Sequence, residues 1–160
     1  MQPLAVAKIF QKIMLDKKFD FILLGKQSID DDFNQTGQIL GSLLGIPSAT
    51  FSSKIEFSDD SKSADVTREV DYGLQKIRVS LPAVFTCDLR LNTPRFANVQ
   101  SIIKAKKKPV ETLNLKDLGI DVEPRLKVEK VEMPAERKGG VMVSSVDELI
   151  SKLKNEAKCI

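Results

Sequence analysis

Histidine is absent from the 160-residue chain, and only two cysteines are present. Without histidine, the chain can supply neither a Ser-His-Asp triad nor a Cys-His pair, and it lacks the commonest metal ligand in proteins. Cys87 and Cys159 lie far apart in the sequence and form no Cys-x-x-Cys motif. That spacing indicates neither a zinc site nor a disulfide framework, so we expect free thiols and a reducing compartment.

A strong surplus of one charge sign is also missing, because 25 lysines and arginines are balanced by 22 aspartates and glutamates. A nucleic-acid-binding domain usually has a dominant basic face, so we predict no nucleic-acid partner. No apolar run approaches the roughly 20 residues of a membrane-spanning helix, so we predict no direct membrane insertion. The first residues, MQPLAVAKIF, resemble neither a signal peptide nor a transit peptide.

Apolar periodicity in the first part of the chain predicts an α/β fold. Apolar residues at positions 6, 9, 10 and 13 predict an opening helix. The apolar run 21–24 predicts a central parallel strand that is buried on both faces. A second helix is expected at about 34–44, where Gly45 and Pro47 supply the stop. A chain that begins in a helix and has so few fully buried strands suggests a missing upstream part.

Strand patterns dominate the middle of the chain. Segments 49–57 and 66–70 predict a β-hairpin, and alternation from 77 to 81 leads into the apolar run 82–85. A helix is expected at 99–108 with Asn98 as its N-cap. After Pro109 we expect extended, irregular chain and then a final helix, which opens with the capping-box spacing Ser145 to Glu148. Its buried face is expected to contain Val146, Leu149, Ile150 and Leu153.

The segment from Gly25 to Gln38, GKQSIDDDFNQTGQ, lies between a predicted strand and a predicted helix. Ligands of open α/β sheets bind at such strand ends, and unpaired N–H groups at 34–37 would face an anion. Gly37 and Gly41 would permit close approach of another backbone or of a ligand. The segment is not a Walker A loop.

Three consecutive aspartates, residues 30–32, leave alternatives open. They could cap the helix, hold sugar hydroxyls or bind a hard cation such as magnesium. The segment could also be a solvated turn with Asp32 or Asn34 as the helix N-cap.

The same stretch closely resembles the GKQ-x-IDDD-x-NQTGQ motif of electron transfer flavoprotein beta subunits. The resemblance implies a partial adenine-nucleotide-hydrolase-like (Rossmann-like) three-layer sheet, with a β-hairpin and an extended C-terminal arm that ends in a helix. It also implies that the segment holds AMP as a structural nucleotide. The implied AMP-binding residues are Gly25, Lys26, Gln27, Ser28, Ile29, Asp30, Asp31, Asp32, Phe33, Asn34, Gln35 and Thr36.

Two further stretches are similar to the same family. Residues 66–86 resemble its signature region, which implies that Glu69 faces the flavin domain of the alpha subunit. Residues 88–108 resemble its partner recognition loop, with Val99 where the family usually has leucine. The implied loop residues are Arg95, Phe96, Ala97, Asn98, Val99, Gln100, Ser101, Ile102, Ile103 and Lys104, and Lys104 and Lys107 match lysines that are methylated in animal members.

The resemblance covers essentially the whole chain and corresponds to the last two thirds of a beta subunit. It implies an incomplete nucleotide-binding domain at 1–108 and an arm at 109–160 that wraps the alpha subunit. FAD would be held mainly by that alpha subunit, and the heterodimer would carry electrons from acyl-CoA and related dehydrogenases to electron transfer flavoprotein-ubiquinone oxidoreductase.

The chain would have no catalytic residues and no metal ligands of its own. Its expected location is the mitochondrial matrix, or the cytoplasm of a bacterium, and the expected processes are fatty acid beta-oxidation and amino acid catabolism. Two other hypotheses stay open. The chain could be a nucleotide-binding module or metal-dependent nucleotide hydrolase of the same fold, or a non-functional truncated remnant.

Overall fold

The computed structural model describes residues 1–137 and 139–160, which divide into two compact units, Met1–Leu126 and Lys127–Ile160. The first unit contains four helices, α1 (Pro3–Lys17), α2 (Thr36–Leu44), α3 (Val99–Lys106) and α4 (Leu115–Leu118). Its strands are β1 (Phe21–Gly25), β2 (Ser48–Phe57), β3 (Ser63–Val70), β4 (Gly73–Ser80) and β5 (Ala83–Cys87). The second unit contains α5 (Val146–Asn155).

The five strands form one mixed sheet in the order β1-β5-β2-β3-β4. Strand β5 pairs in parallel with β1 on one side and with β2 on the other. The remaining pairs, β2 with β3 and β3 with β4, are antiparallel. The α/β class and the β2–β3 hairpin predicted from the sequence are therefore confirmed.

The prediction that 21–24 is a central strand buried on both faces is wrong. β1 lies at the edge of the described sheet, and Phe21 and Leu23 are 40% and 50% exposed. The central strand of the parallel part of the sheet is β5, which lies between β1 and β2 and whose residues Ala83 to Thr86 are all buried. A continuous apolar run identifies a strand of the parallel part of a sheet, but it does not say which neighbours cover its two faces.

Helices α1 and α2 pack together on one face of the parallel strands. Ala7 of α1, Leu40 of α2 and Val84 of β5 form a buried cluster, and Phe10 and Ile22 pack against it. The apolar residues predicted for the buried face of α1, at positions 6, 9, 10 and 13, are only half-buried. Its fully buried residues are Pro3, Ala5, Ala7 and Met14.

Two glycines allow α2 to lie directly against the sheet. A Cβ on Gly37 would overlap the methyl group of Thr86 in β5, and a Cβ on Gly41 would overlap the hydroxyl of Ser48 in β2. The close approach expected at these positions is therefore made by other parts of the chain. The helix ends at Gly45, which has the left-handed conformation typical of this position.

Helix α3 begins at Val99, and Asn98 caps it as predicted, since its Oδ1 accepts a hydrogen bond from the N–H of Ser101 at 2.8 Å. Helix α5 is capped by Ser145, whose hydroxyl accepts from the N–H of Glu148 at 3.1 Å. The expected burial of the apolar face of α5 is wrong, because Val146, Leu149 and Ile150 are all at least 40% exposed. The pattern identifies an apolar face and not the surface that covers it.

The four-residue helix α4 lies where irregular chain was expected. Among the described residues, the helices are too short or too polar to span a bilayer.

Candidate functional site

A cavity of about 200 Å³ lies at the carboxyl end of β1, where the sequence predicted a ligand site. Nine of the predicted AMP-binding residues line it: Gly25, Lys26, Gln27, Ser28, Asp31, Phe33, Asn34, Gln35 and Thr36. Ile29, Asp30 and Asp32 do not, and the side chain of Ile29 is 97% exposed. The lining also includes Met1, Pro3, Val6 and Gly37. The three residues from the start of α1 were missed, because no local pattern reveals which distant segment completes a cavity.

The start of α2 leaves several backbone donors unused. Within the part of the chain that the structure describes, the N–H groups of residues 34–37 donate to no protein acceptor. Neither Asp32 nor Asn34 is the N-cap of α2, so that interpretation is wrong. The N-cap residue is Gln35, whose side chain accepts no capping hydrogen bond. Uncapped N–H groups at a helix start, assisted by the helix dipole, favour an anionic group.

The loop between β1 and α2 holds two residues in left-handed conformations, Asp32 at φ 50° and Asn34 at φ 51°. Left-handed backbone is uncommon outside glycine, and asparagine and aspartate tolerate it best. The Asn34 side-chain oxygen accepts from Gln38 Nε2 at 3.2 Å, while Gln38 Oε1 is buried without a partner among the described residues. A buried orphan acceptor beside this loop is consistent with a ligand or water that completes the site.

Two of the three acidic side chains of the loop accept hydrogen bonds within it. Asp31 Oδ1 accepts from the Ser28 hydroxyl at 3.1 Å and from the N–H of Phe33 at 3.2 Å. Asp32 Oδ1 accepts from Gln27 Nε2 at 3.0 Å. Across the described residues, no three acidic or cysteine side chains are grouped in a way that could hold a metal ion. Asp31 and Asp32 therefore shape the loop, and the magnesium-binding alternative gains no geometric support.

Lys26 is tied to a buried carboxylate at the end of the neighbouring strand. Its Nζ lies 2.7 Å from Asp88 Oδ2, and the Asp88 side chain is only 1% exposed. The hydrogen bond from Lys26 is the largest cause that lowers the pKa of Asp88, followed by the bond from the N–H of Arg90. The sequence analysis missed Asp88, since only the parallel pairing of β1 with β5 brings the residue after each strand together.

The ion pairs continue from Asp88 to the hairpin. Arg90 Nε lies 3.5 Å from Asp88 Oδ1, and Arg90 Nη2 lies 2.7 Å from Glu69 Oε2 at the end of β3. The network therefore contains two lysine or arginine cations and two carboxylates, and it is neutral as a whole. Glu69, which the sequence placed at a partner surface, is thus paired inside its own chain.

Phe51 supports Lys26 from β2, since the ammonium lies 5.9 Å from the centre of the Phe51 ring. Phe51 is in a left-handed conformation at φ 58°, within the irregular part of β2. Such backbone costs about 1–3 kcal/mol at a non-glycine residue and persists only where the surrounding structure holds it. The N–H of Phe51 donates to Thr86 Oγ1 at 3.0 Å, which fixes this bend to the central strand.

The predicted recognition residues lie together on the surface of the first unit, in the loop before α3 and in α3 itself. All ten residues from Arg95 to Lys104 are exposed, and α3 has no buried residue. The side chain of Phe96 is fully exposed and that of Val99 is 71% exposed. Lys104 lies in the last turn of α3, and Lys107 is its C-cap residue. The surface therefore presents apolar side chains next to a basic helix end.

Comparison with known proteins identifies a family. Residues 1–118 match the model of the electron transfer flavoprotein domain. The chain is 51% identical to a mitochondrial electron transfer flavoprotein subunit beta of Arabidopsis thaliana over 99% of its own length and 63% of that protein. It is 54% identical to a subunit beta of Bradyrhizobium diazoefficiens over 98% of its length and 62% of that protein.

A Bos taurus subunit beta is 47% identical over 95% of the chain and 59% of that protein. The chain thus spans about three fifths of the length of these relatives.

Proposed function

The chain belongs to the electron transfer flavoprotein beta-subunit family, and from that premise we propose that it is a nucleotide-binding subunit of a heterodimeric electron carrier. The observation that supports this proposal best is the cavity after β1, where residues 34–37 line the wall and their N–H groups donate to no acceptor among the described residues. Backbone amides at a helix start bind phosphate without needing a cluster of basic side chains. We propose AMP as the nucleotide.

The size of the cavity limits how much of the nucleotide this chain encloses. Small-molecule sites typically have volumes of about 300–1,000 Å³, and this cavity has about 200 Å³. We therefore propose that the chain binds the phosphate and the adjacent sugar, with the N–H groups of residues 34–37 on the phosphate. The adenine base would extend beyond this cavity.

We propose that FAD is held mainly by an alpha subunit, and that the chain positions the cofactor without acting as a catalyst. Bound flavin would supply the electron-transfer chemistry, while the protein supplies binding and orientation. Glu69 is the residue proposed to face the flavin domain. Because its carboxylate is paired with Arg90, docking of a partner arginine would have to replace or share that ion pair.

The exposed recognition segment is proposed as the docking site for acyl-CoA and related dehydrogenases. Phe96 and Val99 provide the apolar contacts, and Lys104 and Lys107 provide positive charge and the proposed methylation sites. Large exposed apolar side chains next to one another are typical of interaction surfaces. The quinone oxidoreductase is proposed as the electron acceptor.

The segment 109–160 is proposed to wrap the alpha subunit, while 1–108 provides the nucleotide-binding domain. The uncovered apolar face of α5 supports this proposal, since an amphipathic helix gains most of its stability from packing that face. The proposed location is the mitochondrial matrix of a eukaryote or the cytoplasm of a bacterium, and the proposed processes are fatty acid beta-oxidation and amino acid catabolism.

The nucleotide site is tested with Thr36→Glu, which adds a negative charge at the first residue of α2. A carboxylate there suits the helix dipole, so the fold is retained, but it repels a phosphate. The expected result is that the purified variant contains no AMP. The AMP content is measured by denaturing the protein and separating the released nucleotide by chromatography. Gln100→Glu adds the same charge to the exposed first turn of α3 and should retain AMP. Equal AMP content in both variants would refute the site.

The carrier function is tested by co-expression with an alpha subunit. The proposal predicts co-purification of the two chains with a flavin absorbance spectrum. Purification of this chain alone, without flavin and without AMP, would instead support the hypothesis of a non-functional remnant.

A further inference from the structure

The electrostatics of the nucleotide cavity point to a residue that sets its specificity. Among the described residues that line the cavity, Lys26 is the one lysine or arginine. Its ammonium is 2.7 Å from Asp88, and the network of Lys26, Asp88, Arg90 and Glu69 is neutral as a whole. The same cavity is lined by Asp31, and Asp30 and Asp32 flank that residue. The charged side chains around the cavity therefore offer no surplus positive charge to a ligand.

Backbone N–H groups can compensate the charge of one phosphate, and the start of α2 offers a group of such donors. Each additional phosphate would bring more negative charge close to the aspartates, while the Lys26 side chain is already paired with Asp88. Interactions between like charges at a partly buried site are only weakly screened by salt. The cavity thus discriminates against polyphosphates by repulsion.

We infer that Asp88 is a specificity-determining residue, which neutralises the cavity-lining Lys26 and thereby restricts the site to nucleotides with a single phosphate. Asp88 acts through Lys26 and does not touch the nucleotide. Its burial supports this role, because a carboxylate that is only 1% exposed keeps a strong hold on its partner ammonium. This inference rests on the proposed nucleotide site.

The inference predicts the effect of removing this one charge. Asp88→Asn keeps the shape of the side chain and an oxygen that can accept from the N–H of Arg90 at the same position. The variant leaves the Lys26 charge without its partner. Affinity for ATP should then rise more than affinity for AMP. The dissociation constant for ATP divided by that for AMP should fall by about tenfold at low salt.

Two further variants are compared with Asp88→Asn. Glu69→Gln removes a charge that is linked to Lys26 only through Arg90 and Asp88, so the ratio should fall by a smaller factor. Asp65→Asn breaks an exposed ion pair with Arg78 in the hairpin and makes the same change in net charge. It should leave the ratio unchanged. All four proteins share the same chain terminus at Met1, so any charge of that group cancels in the comparison.

The experiment is isothermal titration of the full chain with AMP, ADP and ATP in magnesium-free buffer at two salt concentrations, with thermal melts to verify folding. The inference is supported if the dissociation constant for ATP relative to that for AMP falls most in Asp88→Asn, less in Glu69→Gln and not at all in Asp65→Asn, at both salt concentrations. It is overturned if Asp88→Asn weakens binding of all three nucleotides equally, which is the result for a purely structural role.

If Asp88→Asn does not fold, an unchanged ratio in Glu69→Gln overturns the inference. If the wild-type protein binds none of the nucleotides, the proposed function fails and this inference fails with it.

Discussion

The contact between Gly37 and Thr86 allows a stringent test of how α2 is positioned. A Cβ on residue 37 would overlap the Thr86 methyl group, whereas its next neighbour, Leu24, lies at an ordinary contact distance of 3.6 Å. Thr86 is buried in the central strand and cannot move aside without shifting the sheet. Gly37→Ala must therefore push the start of α2 outwards, together with the free N–H groups of the site.

The change in the free energy of unfolding caused by Gly37→Ala follows from two opposing effects. Overpacking of a close-packed interior costs about 1–3 kcal/mol, and replacement of glycine by alanine in a helix returns up to about 1 kcal/mol. We expect Gly37→Ala to lower the free energy of unfolding by about 1–2 kcal/mol and to weaken AMP binding.

Thr86→Ser removes the methyl group and keeps the hydroxyl oxygen that accepts from the N–H of Phe51. Thr86→Ser alone should lower the free energy of unfolding by about 1 kcal/mol. The double variant should return to within about 0.5 kcal/mol of the wild type, since the new Cβ fills the space of the lost methyl. The assay is urea denaturation of all four proteins. Additive losses in the double variant would refute the close contact.

Three further predictions concern charge, capping and docking. Lys26 lowers the pKa of Asp88 below its ordinary value of 3.8, so this carboxylate stabilises the fold above about pH 4 and the stability is lost as pH falls through the folded pKa. The stability difference between wild type and Asp88→Asn should shrink below that pH in acid denaturation. Asn98→Ala should cost α3 about 1 kcal/mol of local stability by hydrogen exchange, and unchanged protection would contradict the cap. Val99→Ala should slow dehydrogenase-dependent flavin reduction while FAD content is retained; equal slowing in the exposed control Val110→Ala would contradict a specific anchor.

Local features of the fold were predictable because their causes are local. Gly45 ends α2 and Asn98 caps α3 at the expected positions, since turn and capping chemistry act within a few residues. The loop after β1 was predicted to form a ligand site, and the structure places a cavity at this loop. Its position at a strand end follows from the order of elements.

The wrong predictions concern which faces of the strands and helices pack against other elements. Phe21 and Leu23 belong to an apolar run, yet β1 is an edge strand of the described sheet. Val146 belongs to an apolar face that the described residues leave exposed. The Lys26–Asp88 pair joins residues 62 positions apart, and its existence depends on the register of β1 against β5. Sequence patterns state which side chains avoid water, and only the assembled sheet determines their partners.

The central claim is that the N–H groups at the start of α2 bind the phosphate of a nucleotide, and amide NMR shifts of the full chain test it most directly. Titration with AMP should shift the amide signals of residues 34–37 far more than titration with adenosine, which has no phosphate. Equal shifts with both ligands, or shifts confined to other parts of the chain, would contradict the claim.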